Sequence, residues 1–213
     1  MKERIIIAID GFSSTGKSTL AKMLSQKIGY RHINTGAMYR AVTLFSIRSN
    51  WIQATNNNID IQFKSIVKNL DQIHLDFVFD NKDCKIYMNG EDVEFEIKTT
   101  QVSQYVSQVS AHPLIRKRII NIQREIGNSK GVVMEGRDIG SVVFPEAELK
   151  LFITASIGVR AQRRYLELLS AGFQVKLEDV INNLEMRDDK DSNRQYSPLI
   201  QDKDAILIDN TSL

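Results

Sequence analysis

Four short stretches of this chain are apolar at every position or, with Lys150, all but one: 5–9, 132–134, 149–153 and 205–208. Runs that are too short for helices and lack the polar alternation of a surface strand predict strands of a parallel sheet buried on both faces. A short fifth strand is predicted over 31–33. Helical stripes lie between them. Leu20, Leu24 and Ile28 recur at helical spacing and end at Gly29, where a C-terminal cap belongs; Met38, Val42 and Phe45 form a second stripe, and 114–126 a third. This alternation predicts an α/β fold with a doubly wound, five-stranded parallel sheet, and ligands of such sheets gather at the carboxyl ends of the strands. Asp10-Gly11, Thr35-Gly36, Glu135-Gly136-Arg137-Asp138, Thr154 and Asp209 stand at those ends. One region breaks the alternation. Ile73, Leu75, Phe77 and Phe79 occupy every second position, and 85–88 leads into Asn89-Gly90, a strong hairpin signal, so a small antiparallel insert is predicted over about 73–94. The sequence stops a few residues after its last strand, and the helix that would close such a fold is expected to be missing.

The first strand runs directly into Gly11-Phe12-Ser13-Ser14-Thr15-Gly16-Lys17-Ser18-Thr19, a G-x-x-x-x-G-K-S pattern followed by a helix. Gly11 and Gly16 can turn successive backbone N–H groups toward an anion at the helix N-terminus. Lys17 then reaches the β- and γ-phosphates of a nucleotide, and the Ser18 hydroxyl is placed to ligate Mg²⁺. A glycine-rich turn with an incidental lysine is the alternative, and the strand before and helix after weigh against it.

Composition narrows the picture mainly by exclusion. The 213 residues are 42% hydrophobic, as expected of one globular domain. Twenty-eight basic and 26 acidic residues leave a net charge of +2, so no global field points to nucleic acid or an anionic membrane. Cys84 is the single cysteine, which excludes an internal disulfide framework and a cysteine zinc site and fits a reducing, cytoplasmic location. No apolar run approaches the ~20 residues of a membrane span, and a strand beginning within four residues of the N-terminus leaves no room for a signal peptide. Without a heptad run or a broad apolar stripe, a monomer is expected.

Charge is informative locally. Residues 156–204 carry Arg160, Arg163, Arg164, Arg187 and Arg194 on two helical patterns separated by Gly172, yet hold eight basic against nine acidic residues, so the arginines read as placed partners for phosphates or carboxylates. Arg187, Asp191 and Arg194 share a face if the segment is helical. They form either a solvated salt-bridge ladder or a set of forks for a transferring phosphoryl group. Glu135, Arg137 and Asp138 either pin a strand end as an ion pair or face the cleft. Thr35 either caps its helix or contacts an anion, and Arg40, expected in the first turn, opposes the helix macrodipole. His32, His74 and His112 share no metal-ligand spacing and read as structural. Asn81-Lys82-Asp83 falls one residue short of the guanine-reading N-K-x-D, because position 84 is Cys, and no D-x-x-G follows a strand, which weighs against a GTPase.

Taken in order, five segments resemble the bacterial cytidylate kinases over almost the whole chain: Asp10-Gly11 through Lys17, Asn34 through Arg40, Ser107 through Arg116, Glu135-Gly136-Arg137-Asp138-Ile139-Gly140 to Pro145, and Arg187 through Arg194. The resemblance implies an ATP-dependent CMP/dCMP kinase using Mg²⁺, with ATP and CMP or dCMP as small-molecule partners. It implies a core over about 1–60, 100–155 and 200–213, a nucleotide-monophosphate-binding insert over about 61–99 and a helical lid over about 156–199. Carried over by position, acceptor-phosphate contacts fall on Thr35, Arg40, Arg137 and Arg194, cytosine contacts on Ser107, Arg116 and Asp138, and ribose contacts on Arg187 and Asp191. ATP contacts fall on Gly11 through Thr19 and on the paired lid arginines Arg163 and Arg164; Lys17, Arg137, Arg187 and Arg194 are the implied catalytic set. There are departures. Phe12 replaces a frequent proline, Ser13-Ser14-Thr15 replaces a glycine-richer loop, and Glu135 stands where Asp is better known. A kinase of another small molecule with similar architecture, such as shikimate, and a nucleotide-dependent switch are the competing classes.

Overall fold

A computed structural model describes residues 3–55, 58–80 and 83–212. Strand β1 (Ile6–Gly11) leads into α1 (Lys17–Ile28), β2 (Arg31–Asn34) and α2 (Thr35–Arg48). An antiparallel pair, β3 (Ile52–Thr55) and β4 (Asn58–Ile61), precedes α3 (Phe63–Lys68), and β5 (Leu75–Asp80), β6 (Asp83–Met88) and β7 (Glu91–Asp92) form a second antiparallel sheet. Then come α4 (Thr100–Ala111), α5 (Pro113–Gly127), β8 (Val132–Glu135), β9 (Leu149–Thr154), α6 (Ile157–Ser170), α7 (Leu177–Asn193) and β10 (Ile206–Asp209).

The five predicted strands make one sheet in the order β10-β9-β1-β8-β2. The pairs β1–β8, β1–β9 and β9–β10 are parallel, with Ile9 beside Glu135 and Gly11 beside Ile153. The central place of β1 explains its unbroken apolar run, since Ile7, Ala8 and Ile9 are all buried. Gly11 is required here by space as well as conformation. With φ at 141°, a Cβ on it would lie 2.0 Å from the Ile153 carbonyl oxygen. The edge strand departs from expectation: Ile206 and Leu207 in β10 are 57% and 54% exposed. Burial of an apolar strand needs helices over both faces, and the run of side chains does not by itself supply them.

By its backbone contacts the chain divides into two compact units, one formed by residues up to His32 together with those from Ser129 onward, the other by Ile33–Asn128. In the first, Ile7, Ile9, Ala21, Val133, Leu151 and Ile153 form the sheet's core, and α6 and α7 pack on a separate small core of Ala161, Val180 and Leu184. Glu178 and Asp179 in the first turn of α7 favour its N-terminal dipole. In the second unit one extensive core runs from Met38 and Val42 of α2 through Ile86 and Met88 of β6 to Ile115 and Ile119 of α5.

The antiparallel insert was expected over 73–94, and β5 to β7 lie there, with Leu75 opposite Met88. The pair β3–β4 was not expected. Its strands have only four residues each, and β4 itself opens with the last of three consecutive asparagines, so alternation is too short to register. The Asn81-Lys82 portion of the near-miss guanine motif lies outside the described residues. Among the described residues no helix is long and apolar enough to cross a membrane.

Candidate active site

Where β1 ends, the backbone turns sharply to enter α1. Gly16 is left-handed at φ 88°, and so is Ser14 at φ 60°, a strained setting for a residue with a Cβ. Carbonyls of this loop receive donors. The Phe12 carbonyl accepts from Thr15 Oγ1 at 3.1 Å and from the Lys17 ammonium, and the Gly16 carbonyl from the Leu20 amide at 3.0 Å. Lys17 Nζ also lies 3.4 Å from Thr15 Oγ1. Lys17 is 6% exposed, and burial first, then the Arg137 charge, push its pKa down to about 7 against the pull of Glu135, Asp10 and Asp191.

Two carboxylates buttress the loop's surroundings. Asp10 accepts the amides of Ile139 and Gly140 at 2.8 and 2.7 Å, tying β1 to the turn after β8. Burial nevertheless raises its pKa to about 6, because two amides only partly replace lost hydration. Glu135, at the end of β8, accepts the Ser18 hydroxyl at 2.8 Å and lies 3.0 Å from His32 Nε2. His32 is thus a partner to the carboxylate that accepts the Ser18 hydroxyl.

The arginine cluster follows. Arg137 Nε donates to Asp191 at 2.8 Å; Arg194, one residue past α7, lies 3.4 Å from Asp191 and 3.7 Å from Asp138. Arg194 side-chain exposure is 7%, so a solvated ladder does not describe it. Burial would raise the Asp191 carboxyl, but Arg137 and then Arg194 and Arg187 hold it below its ordinary range. Burial first and then Arg137 push the Arg187 pKa down, so Arg187 is placed where added negative charge would be welcome. Of the paired arginines on α6, Arg163 donates to the Asn210 carbonyl at 2.8 Å, whereas Arg164 pairs with Glu167 on its own helix at 2.8 Å.

Thr35, Arg40, Ser107 and Arg116 belong to the second unit. Thr35 does not cap α2. The cap is Asn34, whose side chain accepts the Ala37 amide at 3.3 Å, leaving Thr35 as the first, buried residue of the helix. Arg40 is therefore the sixth helical residue, beyond the first turn, and the predicted clash with the macrodipole is weakened; it donates to Ser103 Oγ at 2.9 Å and the Ile97 carbonyl at 3.3 Å. Arg116 is 1% exposed, bonds the Ser110 carbonyl at 3.0 Å and stacks 5.2 Å from the Tyr39 ring centre. Ser107 is half-buried on α4, where its carbonyl accepts the Ser110 hydroxyl at 3.2 Å.

Two further residues reach the loop: Arg160, read from the sequence as a placed partner for a phosphate or carboxylate but given no site role, and Asn210, which was missed. Arg160, one turn before Arg163, bonds Asp188 at 2.5 Å, reaches the Ser13 carbonyl at 3.5 Å and stacks 5.3 Å from Phe12. This contact, with the edge of Phe152 at 6.0 Å, gives Phe12 a packing role where a proline is more usual. Its spacing from Arg163 was a usable signal. Asn210 left none, though its side-chain amide donates to the Thr15 carbonyl at 2.7 Å.

A parallel strand ending in a glycine-bounded loop, with lysine and serine opening the next helix, defines a P-loop phosphate-binding protein. The sequence profile of the Cytidylate kinase family matches residues 7–213. A Cytidylate kinase of Flavobacterium psychrophilum is 49% identical over 214 residues, covering 99% of this chain and 92% of its own, and one of Cytophaga hutchinsonii is 48% identical, covering 98% and 87%. The chain belongs to the cytidylate kinase family. Among solved structures, a shikimate kinase from Bacteroides thetaiotaomicron superposes with a TM-score of 0.45 at 11% identity, covering 90% of this chain and 82% of that one.

Proposed function

We propose that this protein transfers the γ-phosphate of ATP to CMP or dCMP, giving ADP and the nucleoside diphosphate. The observation that carries the proposal is near-half identity to cytidylate kinases along almost the full chain, on a fold that presents a P-loop. An oxygen of the acceptor phosphate forms the new bond to the γ-phosphorus while the bond to the β–γ bridging oxygen breaks, and ADP leaves with that oxygen's electron pair. The acceptor phosphate is already ionised near neutral pH, so positioning and charge neutralisation carry the reaction.

Gly11 through Thr19 would cradle the phosphates of ATP, with Lys17 on those being transferred. Arg163 and Arg164 would meet ATP from a lid over about 156–199. Thr35, Arg40, Arg137 and Arg194 would hold the acceptor phosphate, Ser107, Arg116 and Asp138 the cytosine, and Arg187 and Asp191 the sugar. The Arg137–Asp191–Arg194 contacts support this assignment, because a carboxylate between two guanidinium groups fixes the orientation of both. The Ser18 hydroxyl bonded to Glu135 is an oxygen donor set suited to Mg²⁺, and these residues would hold it. Bound there, the ion would neutralise charge on the β- and γ-oxygens. Lid closure would exclude water that could otherwise consume ATP. A cytoplasmic monomer fits the reading.

A coupled ADP-release assay across CMP, dCMP, UMP, AMP and shikimate tests it. Turnover highest with the cytidine nucleotides is expected; ATP use by the folded protein that no cytidine nucleotide stimulates would reject it.

A further inference from the structure

A loop that turns its N–H groups toward an anion turns its carbonyls the other way, and each buried carbonyl then needs a donor from outside. Phe12 and Gly16 find theirs within the loop and α1. The Thr15 carbonyl does not. Thr15 is fully buried, and its oxygen accepts the side-chain amide of Asn210 at 2.7 Å, from a residue just past β10. Asn210 is itself fixed: its backbone amide donates to the Thr154 carbonyl at 2.8 Å, and its carbonyl accepts Arg163 Nη2 at 2.8 Å. Its amide also fills the space beside the last loop glycine, since a Cβ on Gly16 would lie 2.6 Å from Asn210 Nδ2.

We propose that Asn210 is a positioning residue for the phosphoryl donor: by holding the Thr15 carbonyl outward, it keeps the amides that follow turned toward the phosphates, and through Arg163 it joins that setting to α6. The inference rests on reading the P-loop as the ATP site. An unsatisfied buried acceptor favours rotation of the Thr15–Gly16 peptide, which would swing an inward N–H away. Because the bond reaches the loop and not the nucleotide base, its loss acts on phosphate affinity.

Isothermal titration of wild type, Asn210→Ala and Asn210→Leu with MgATP, inorganic tripolyphosphate and CMP tests this. Leucine keeps the shape of the side chain without its donor. Both variants are expected to bind MgATP and tripolyphosphate about tenfold more weakly, with CMP affinity near wild type, a melting temperature lowered by a few degrees and a matching rise in KM for ATP. Weakened ATP binding with unchanged tripolyphosphate binding overturns the proposal, by moving Asn210 to the nucleoside end. So do unchanged affinities for both ligands, equal losses for CMP, or failure of both variants to fold. A wild-type protein that turns over CMP but binds no tripolyphosphate also overturns it, while leaving the kinase reading intact; absence of turnover in wild type withdraws that reading.

Discussion

Nucleotide binding should draw a proton into this protein, and Lys17 sets how much. Its ammonium is buried with Arg137 as an unfavourable neighbour, and its pKa falls to about 7. At pH 8 about nine-tenths of the free protein should therefore carry a neutral Lys17, one pH unit past a pKa being a factor of about ten. A phosphate charge brought to about 4 Å at an effective dielectric near 20 favours the ammonium by about 4 kcal/mol, which returns the pKa to about 10. Binding at pH 8 should then take up about 0.9 proton, at pH 7 about half of one and at pH 6 about a tenth. At pH 8 Asp10, with its pKa of about 6, is ionised before and after binding and adds little. Titration calorimetry of MgATP in buffers of different ionisation enthalpy reads the uptake as a slope. A slope near zero at pH 8, or an equal slope in Lys17→Met, would refute the argument.

Lys17→Met should lower turnover about a hundredfold or more with the fold retained, as loss of a transition-state charge contact does; near-wild-type rates in steady-state assay would overturn its role. Because the folded-state pKa of Lys17 lies below its unfolded value, the unfolded chain binds more protons between about pH 7 and the ordinary lysine range, so this group's contribution to stability should rise with pH across that window. Thermal melts at pH 7 and pH 9 should show a smaller rise in Lys17→Met. Ser107→Ala and Asp138→Ala should reduce kcat/KM for CMP more than for UMP, since a site built on polar pairing discriminates through groups left unpaired; equal losses would remove both from base reading. Asp191→Ala should alter the ratio of CMP to dCMP activity, whereas Arg194→Ala should depress kcat for both acceptors by a similar factor. Unchanged kcat/KM in both variants would reduce the Arg137–Asp191–Arg194 contacts to a structural role.

The sheet and its loop were legible because their physics is local. An unbroken run such as Ile5-Ile6-Ile7-Ala8-Ile9 specifies a buried strand, and Gly16-Lys17-Ser18 specifies the turn that follows. Boundaries slipped where a polar residue ends a strand, as with Glu135 in β8 and Asp209 in β10. Of the two roles open to Thr35, the cap of α2 falls to its neighbour, because Asn34 and Thr35 are both good caps and only the backbone decides. Long-range polar partners were beyond reach. Nothing in the residues around Asp10 says that its oxygens will meet the amides of Ile139 and Gly140, and nothing around Asn210 points to Thr15. Such bonds depend on which segments the fold brings together, and periodicity is silent on that.

The link between Thr15 and Asn210 also orders events during synthesis. The two residues are 195 positions apart, so at about 5–20 residues per second the ribosome releases the loop roughly 10–40 s before the amide that holds it. Until residues 132–154 have also been made, β1 has neither β8 nor β9 beside it, and Gly11 lacks the Ile153 backbone it packs against. The cradle nearest the N-terminus is thus among the last parts of the molecule to become competent. A nascent chain halted before position 210 should be slow to gain nucleotide affinity, whatever secondary structure it has already formed.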